Sequence, residues 1–521
     1  MANILPNSQA FGVGVAVNNT PLSTVASVKK RKLLFIATAL NIGALRDTPI
    51  HVLSPADAAD KFGLGSTAHR MALAAWRGHG GQVPTYIIIS DITDGAAATA
   101  SISVTAQAQH KSGAIALYIM GKKYTVIVGV TDNAEVIASH IADTINTDAS
   151  LPFIAAPDET DTSMVNLTAR ENGVYGNDIL IEINVHPELG DALPFGVTLT
   201  NTSFSGGAGL PNIADVLTAL GTGDQQNKLD FTAVGHVYGY ETTILDALSE
   251  YNGLGNEMTG DYSQIVARPF RSAVCDTVRK GSAGMGELIE FGNTRAVDRT
   301  TGLISCPFTL SNSHEVAAEF LGKAEAYNAS QAGGSLAGLI LSGVDASLDN
   351  DDNFTTEYTN RDQLLAAGIT PLIVEDGVTQ TTNTITSYHS SAISPENNAY
   401  RRFVDISKTQ NVLFNVKRTF SSAKWRGFIV VEDAGTVGRP DVRARCRDRI
   451  AVIGELMMLI DQFYDMGVLF SKTPSVESLK NPQNVQLRPD GGGFNINLDM
   501  QYSGEGGIIS AVINIDTAVS A

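Results

Sequence analysis

LLFIATA, at residues 33–39, is an apolar run of strand length, and it is followed by PADAADKF at 55–62, a helical stretch near Ala68–Arg77 and TYIII at 85–89. A strand covered on both faces reads as continuous apolar sequence. Such strands, alternating with helix-length stretches, mark a layered α/β unit. Pro55 stands where a helix starts at no cost, because first-turn amides have no intrahelical partner to lose.

From Asp91 to about Gly207 the pattern changes to alternating strands at Ser101–Ala106, Ala114–Met120, Tyr124–Val130, Val165–Ala169 and Ile179–Asn184, with one helix near Ala134–Ile145. The Gly-rich run Ser205–Leu210 closes the stretch. Then α/β patterning resumes with Ala214–Leu220 and Phe231–Gly235, a helix over Glu315–Gln331, a strand over Ala337–Leu341, a helix over Thr359–Ala367 and strands near Leu372 and Ile385. The simplest reading is a discontinuous α/β core (23–90 and 208–399) with a mostly-β module (91–207) inserted into it. A C-terminal domain, 400–505, follows, with a long helix predicted over 440–466. On that helix Ile450, Ile453, Leu456, Ile460 and Phe463 form one stripe.

The two ends read as strands without neighbours. Residues 1–22 form an arm in which Phe11, Val13, Val15 and Val17 alternate with Gly12, Gly14 and Ala16, until Asn18-Asn-Thr-Pro21 breaks the run. No hairpin partner lies next to it, so its partner is distant. Near the other end Phe494, Ile496, Leu498 and Met500 alternate with polar residues. In the last segment, 506–521, the strand Ile508–Asp516 carries Ile509, Ala511, Ile513 and Ile515 on one face and stays apolar on both faces until Asn514. Such a strand wants partners on both sides.

At 521 residues the chain exceeds one ordinary core. Apolar residues make up 43% and charged ones only 17%, which leaves a surface of Thr, Ser, Asn, Ala and Gly suited to burial against neighbours. A formal charge of −18 argues against direct nucleic-acid binding, since phosphate contacts need concentrated basic surface and only Lys29–Lys32 supplies a small run. Neither an export signal nor an apolar stretch able to span a bilayer is expected. Cys275, Cys306 and Cys446 are scattered, with no CxxC pair to suggest a disulfide framework or zinc.

Catalytic patterns fail on their own terms. Gly63, Gly65 and Ala68 form a GxGxxA, but a helix precedes it where a dinucleotide site needs a strand. Gly333, Gly334 and Ser335 start something like a nucleophile elbow, yet Ala337 replaces the final glycine. Asp349, Asp351 and Asn353 imitate a calcium loop, with Phe354 at the glycine position and Asn360 at the glutamate position. Nine histidines, His51, His69 and His79 among them, show no metal-binding spacing. Gly281, Gly284 and Gly286 read as a flexible loop without the Lys-Ser/Thr of a phosphate-binding motif. No catalytic, cofactor or metal residue is assigned, and the chain reads as a non-enzyme.

One cluster breaks a local rule. Arg439, Arg443, Arg445, Arg447 and Arg449 crowd the start of the predicted long helix, where the dipole disfavours cations, in an acidic protein. Two readings stand: a solvated face with local partners such as Asp441 and Asp448, or contact with an acidic partner or neighbouring subunit.

Several segments, in order, resemble the tail sheath proteins of Mu-like contractile phages. They are Phe62-Gly-Leu-Gly-Ser-Thr-Ala68 with its helix through Met71, the inserted module with Gly121 and Tyr175-Gly176-Asn177, and Leu229-Asp-Phe-Thr-Ala233. Further on come Gly368-Ile369-Thr370, Thr386-Ser-Tyr388, Tyr400-Arg-Arg-Phe-Val-Asp405 and Arg439-Pro440-Asp441; Gly491–Ala521 matches less closely. The resemblance implies a multidomain sheath-protein fold with the inserted module outermost, and subunits that donate terminal strands to a neighbour's sheet. It implies a helical homopolymer around an inner tail tube, with baseplate and tail terminator proteins as further partners, in a phage tail or tail-like particle assembled in the bacterial cytoplasm. It implies contraction without a cofactor and without membrane insertion. The rival readings are another self-assembling surface or injection-device protein and an α/β enzyme.

Overall fold

The computed structural model describes residues 26–41, 48–90, 92, 94–222, 226–252, 268–276, 281–346, 353–389 and 400–504. The strands expected at Phe11–Val17 and Ile508–Asp516 lie outside the described residues. The chain divides into two compact units. The larger is built from Val28–Leu413, Met466–Phe470 and the residues from Tyr502 on, and the smaller from Phe414–Asp465 and Ser471–Gln501 with the residues up to Ser27.

The larger unit is organised by one eight-stranded sheet in the order 378–381, 369–375, 301–305, 271–276, 233–236, 33–37, 85–89, 50–52. The inner strands run parallel, and Val378–Thr381 and Ile50–Val52 close the two edges antiparallel. LLFIA at 33–37 is buried throughout, as a strand with neighbours on both faces must be. The helix Pro55–Phe62 and the strand Thr85–Ile89 fall where the sequence puts them. Arg271–Asp276 and Thr301–Ser305 escape the sequence reading because polar residues head two wholly covered strands.

Helices Thr67–His79 and Ser313–Ser330 cross on this sheet with almost no side chain between them. A Cβ added at Gly78 would stand 2.4 Å from the Glu319 carbonyl oxygen, and one at Gly322 would stand 2.5 Å from the Ala75 carbonyl oxygen. Both obstacles are backbone, so rotamer changes cannot relieve them.

Residues 97–201 build two further sheets with their own apolar core. Val197–Asn201, Ala97–Ala106, Met164–Asn172 and Phe153–Pro157 form one, and Lys122–Val128, Gly113–Ile119 and Ile181–Ile183 the other. Helix Ala134–Asn146 buries Ile137, Ile141 and Ile145 against them, its start fixed by the Asn133 side chain accepting from the Val136 amide at 2.9 Å.

Four local expectations need correction. The predicted strand Ala337–Leu341 is a turn with a single bridge, Ile340 to Gln380, because Gly338 takes a left-handed φ of 76°. Likewise Ile385 makes only an isolated bridge, to Arg402. Gly281, Gly284 and Gly286 open a helix, Gly281–Thr294, in which burial of Met285 and Leu288 overrides the poor propensity of glycine. The long helix expected over 440–466 is two pieces. Pro440–Arg443 is a single turn, Cys446–Arg447 then pairs in parallel with Ile429–Val430, and the real helix is Arg449–Asp465. Asp448 makes the break, its Oδ1 accepting from the Ala451 amide at 2.7 Å as an N-cap and its Oδ2 from the Ala434 amide at 2.9 Å. The buried stripe shifts with it to Val452, Leu456, Leu459, Ile460 and Phe463, leaving Ile450 74% exposed and Ile453 half-buried.

The helix crossing gives a direct test. Gly322→Ala should lower the unfolding free energy by about 1–3 kcal/mol through overpacking. Gly454→Ala, on a helix face with nothing within 4 Å, should raise it by about 0.5–1 kcal/mol. Urea midpoints of the two variants would read the opposite signs.

Candidate assembly surfaces

The smaller unit carries all five arginines of the cluster, and they separate into two kinds. Arg447 is half-buried: its guanidinium donates to the carbonyls of Cys446 at 2.7 Å, Ala444 at 3.0 Å and Lys424 at 2.8 Å, and its Cζ sits 5.6 Å from the Trp425 ring centroid. Trp425 is itself central to a run of rings, between Phe420 at 4.9 Å and Phe428 at 5.6 Å, with Phe428 stacked on Phe494. Arg449 ties the helix start to the segment beyond it, donating to Val485 O at 3.0 Å. These two hold the unit together from within. Only Arg449 belongs to the helix's first turn, and Asp448 supplies the negative charge that this end favours.

Arg439, Arg443 and Arg445 are exposed. Arg439 pairs with Asp441 at 2.9 Å with both side chains mostly in solvent, a contact worth little. Arg443 donates to Val437 O at 2.7 Å, and the Arg445 carbonyl accepts from the Ile429 amide at 2.9 Å while its side chain stands in solvent. The outward-facing charge is therefore a short stretch, 439–445.

The same unit exposes apolar surface in an ordered way. On helix Arg449–Asp465, Ile450, Met457 and Tyr464 are exposed at i, i+7 and i+14, so one face opposite the buried stripe is uncovered. Val485–Leu487 pairs with Phe494–Ile496 as a hairpin of only two strands, whose outer edges have no strand partner among the described residues. A lone hairpin is marginal in water, and among the described residues the only polar edge group already seen in use is Val485 O, which Arg449 holds. The strand expected to run on to Met500 stops at Ile496 because serines of helix Thr473–Lys480 take over, with Ser475 Oγ donating to Asp499 O at 2.7 Å. Leu498 and Met500 are half-buried.

Where chemistry was sought in the larger unit, polar groups satisfy one another. The GxGxxA turn does open helix Thr67–His79, but the position a bound anion would take at that helix start is filled by the Glu171 carboxyl group, which accepts from the Thr67 amide at 2.8 Å. Arg170 beside it donates to Leu64 O at 3.0 Å and Ala149 O at 2.8 Å. His69 Nδ1 accepts from the Gly65 amide at 3.2 Å, His79 Nε2 lies 3.0 Å from Thr85 Oγ1, and His51 stacks on Tyr86. Burial pushes the His79 pKa down to about 4, so it is neutral at physiological pH. Ser335 Oγ accepts from the Ala337 amide in a turn. Asp349 and Asp351 lie outside the described residues.

Among the described residues no three metal-ligating side chains gather, and no helix is long and apolar enough to cross a membrane. The basic run at 29–32 is mostly turned inward: Lys29 and Arg31 are buried, Lys29 paired with Asp230 and Arg31 bonded to Gln410, half-buried Lys32 donates to Leu229 O at 2.8 Å, and Lys30 is exposed. Sequence inspection alone could not separate this run from an exposed patch.

No protein-family model matches the chain, and no curated protein matches it. Among solved structures it is similar to the sheath tail protein of Desulfitobacterium hafniense, at 11% identity over 95% of this chain and 97% of that one, with a TM-score of 0.46. It is also similar to the sheath tail protein of Listeria innocua, at 14% identity over 92% and 94% with a TM-score of 0.43. A further similar structure is the helical sheath of the anti-feeding prophage in its contracted state, at 11% identity over 98% and 100% with a TM-score of 0.39.

The division of the arginines can be measured. Arg447→Glu should destabilise the smaller unit by about 1–3 kcal/mol, through loss of charged hydrogen bonds and of the stack on Trp425. Arg443→Glu and Arg445→Glu should each stay within about 0.5 kcal/mol of the parent. Thermal melts followed by tryptophan fluorescence would separate the two groups.

Proposed function

We propose that this chain is the structural subunit of a contractile tail sheath, polymerising helically around an inner tube and linked to its neighbours by donated terminal strands. The observation that carries the reading is the open-edged hairpin Val485–Leu487/Phe494–Ile496 in a unit with an uncovered apolar helix face. Such an edge accepts an added strand through main-chain bonds, with side-chain pockets setting register. The chain's own strand patterns at Phe11–Val17, and at Ile509, Ala511, Ile513 and Ile515, have the length and alternation to fill it. A donated seven-residue strand making about five bonds of roughly 1 kcal/mol each would keep subunits joined while their bodies rotate.

In this reading residues 91–207 form an outer module on a core made of 23–90 and 208–399, and 400–505 is the domain that receives the arms. Identical head-to-tail contacts that do not close generate a helix. The extended lattice is metastable, held by a barrier, and falls to a shorter, wider lattice when a baseplate frees one end. Its partners are further copies of itself, the tube protein, and baseplate and terminator proteins. Arg439, Arg443 and Arg445 are the arginines offered to an acidic tube or neighbour, because they are exposed whereas Arg447 and Arg449 are half-buried.

Deleting Met1–Thr20 should leave folded, soluble chains that form no sleeves in electron micrographs; sleeves of normal length from the truncated chain would sink strand donation. Reversing charge at Arg443 and Arg445 together should leave the melting temperature in place and weaken co-sedimentation with tubes several-fold in low salt. Undiminished co-sedimentation would return that stretch to a solvated face.

A further inference from the structure

The chain segments that lead into and out of residues 97–201 touch backbone to backbone in a neck. Ala96 and Ala208 exchange amide-to-carbonyl bonds at 2.9 and 3.0 Å, the Gly173 amide donates to Ala96 O at 3.2 Å, and Asn177 and Gly207 bond both ways at 2.8 and 2.9 Å. A Cβ at Gly207 would come within 2.7 Å of Gly173 O, and one at Gly209 within 2.8 Å of Gly95 Cα. Across to the main body run Arg70 to Ser150 O at 3.0 Å, Arg170 to Leu64 O at 3.0 Å, Ser313 Oγ to Asp178 Oδ2 at 2.8 Å and one buried polar cluster that can change its protonation.

That cluster is Thr38, Thr67, Glu171 and Tyr175, all buried. Glu171 and Tyr175 follow from the Met164–Asn172 strand, whereas Thr38 and Thr67 belong to the main sheet and its first long helix. Thr38 Oγ1 lies 3.0 Å from Glu171 Oε1, 2.6 Å from the Tyr175 hydroxyl and 2.9 Å from Thr67 Oγ1; Thr67 Oγ1 lies 3.1 Å from Thr38 O, and the Tyr175 hydroxyl 2.7 Å from Asn172 O. These are five oxygen–oxygen contacts served by three hydroxyl protons, those of Thr38, Thr67 and Tyr175. A fourth proton, on Glu171, would donate to Thr38 Oγ1 and release the Thr38 proton to a further contact. An ionised Glu171 therefore leaves two of the five contacts without a proton and a protonated one leaves one, in a cluster whose members are all buried.

We propose that Glu171 is a proton-operated latch, which locks the 97–201 sheets onto the main sheet when protonated and loosens the neck when ionised. The carboxylate makes no ion pair among the described residues, since the neighbouring Arg170 is committed to carbonyls. The other ionisable groups around it are Tyr175, Tyr238 beyond it with its hydroxyl 2.7 Å from Ser90 Oγ, and on the helix His69 and Arg70, the latter paired with Glu315 at 2.7 Å. Burial pushes the Glu171 carboxyl up to about 7, against hydrogen bonds from Thr67 and Thr38 that favour the ionised form. Its folded value lies above the ordinary one, so the locking contribution is complete below about pH 4.5 and is lost as pH rises through about 7.

The latch belongs to the single chain and does not rest on polymerisation. Spin labels at Leu53→Cys and Ile154→Cys, both exposed positions in a protein whose cysteines are buried, would report the joint by dipolar distance measurement. The distance distribution is expected to be narrow at pH 5 and at least twice as wide at pH 8. With Glu171→Gln, whose amide donates to Thr38 at either pH, it should stay narrow throughout. Equal widths at both pH values in the parent, or the same broadening in Glu171→Gln, would overturn the proposal. Carbon-13 glutamate labelling of the parent gives a check independent of any variant: one carboxyl must titrate near pH 7, and a set that all titrate below pH 5.5 overturns it as well.

Discussion

The carboxylate of Glu325 gathers the larger unit. It is fully buried on helix Ser313–Ser330 and accepts from Arg271, which heads one parallel strand, and from Thr232, which precedes the next. Arg31, which leads into the strand 33–37 beyond, acts on the same carboxylate through space and bonds to Gln410; Gln410 in turn donates to Thr232 O at 2.7 Å and Pro269 O at 2.9 Å. Burial alone would push the Glu325 carboxyl up, but Arg271 and then Arg31 outweigh it and hold the group below its ordinary value. A pair like this adds little net stability over an apolar replacement, yet removing one partner leaves a buried charge and costs roughly 3–5 kcal/mol. Its role is to set which strands lie side by side and at what height, because three adjacent strand starts must meet one point.

That point also shows how far the sequence can be read. Strands and helices whose apolar period is clean, such as Pro55–Phe62, Thr85–Ile89 and Ala134–Asn146, are legible because their own residues decide them. Arg271–Asp276 is not legible, because its arginine is acceptable in a buried strand only with Glu325, more than fifty positions away, beneath it. Lys29 and Arg31 read as surface charge for the same reason: the groups that allow their burial, Asp230 and Gln410, are remote in sequence. The split of the predicted long helix was readable in principle. Asp448 followed three residues later by a free amide is an N-cap signal, hidden here among arginines that drew attention to charge instead of to capping.

The candidate surfaces were legible to a different degree. The arginine cluster was visible as a group, but only packing distinguishes Arg447, seated on Trp425, from Arg443 and Arg445, which are exposed. In the hairpin 485–496 the alternation at Phe494 and Ile496 is legible, whereas Val485–Leu487 is too short to read alone, and the pair has no third strand among the described residues.

The two units differ in what they bury. The larger has a continuous apolar core and a helix crossing tight enough to exclude a methyl group. The smaller packs a short aromatic run and one helix stripe, while Ile450, Met457, Tyr464, Leu487 and Ile496 stay exposed. Apolar side chains left in water on a small unit oppose its stability as a free body, and covering them on assembly recovers that loss. Under the proposed sheath reading that exposed apolar surface is what copies of the chain would bury against one another, and the smaller unit is where it lies.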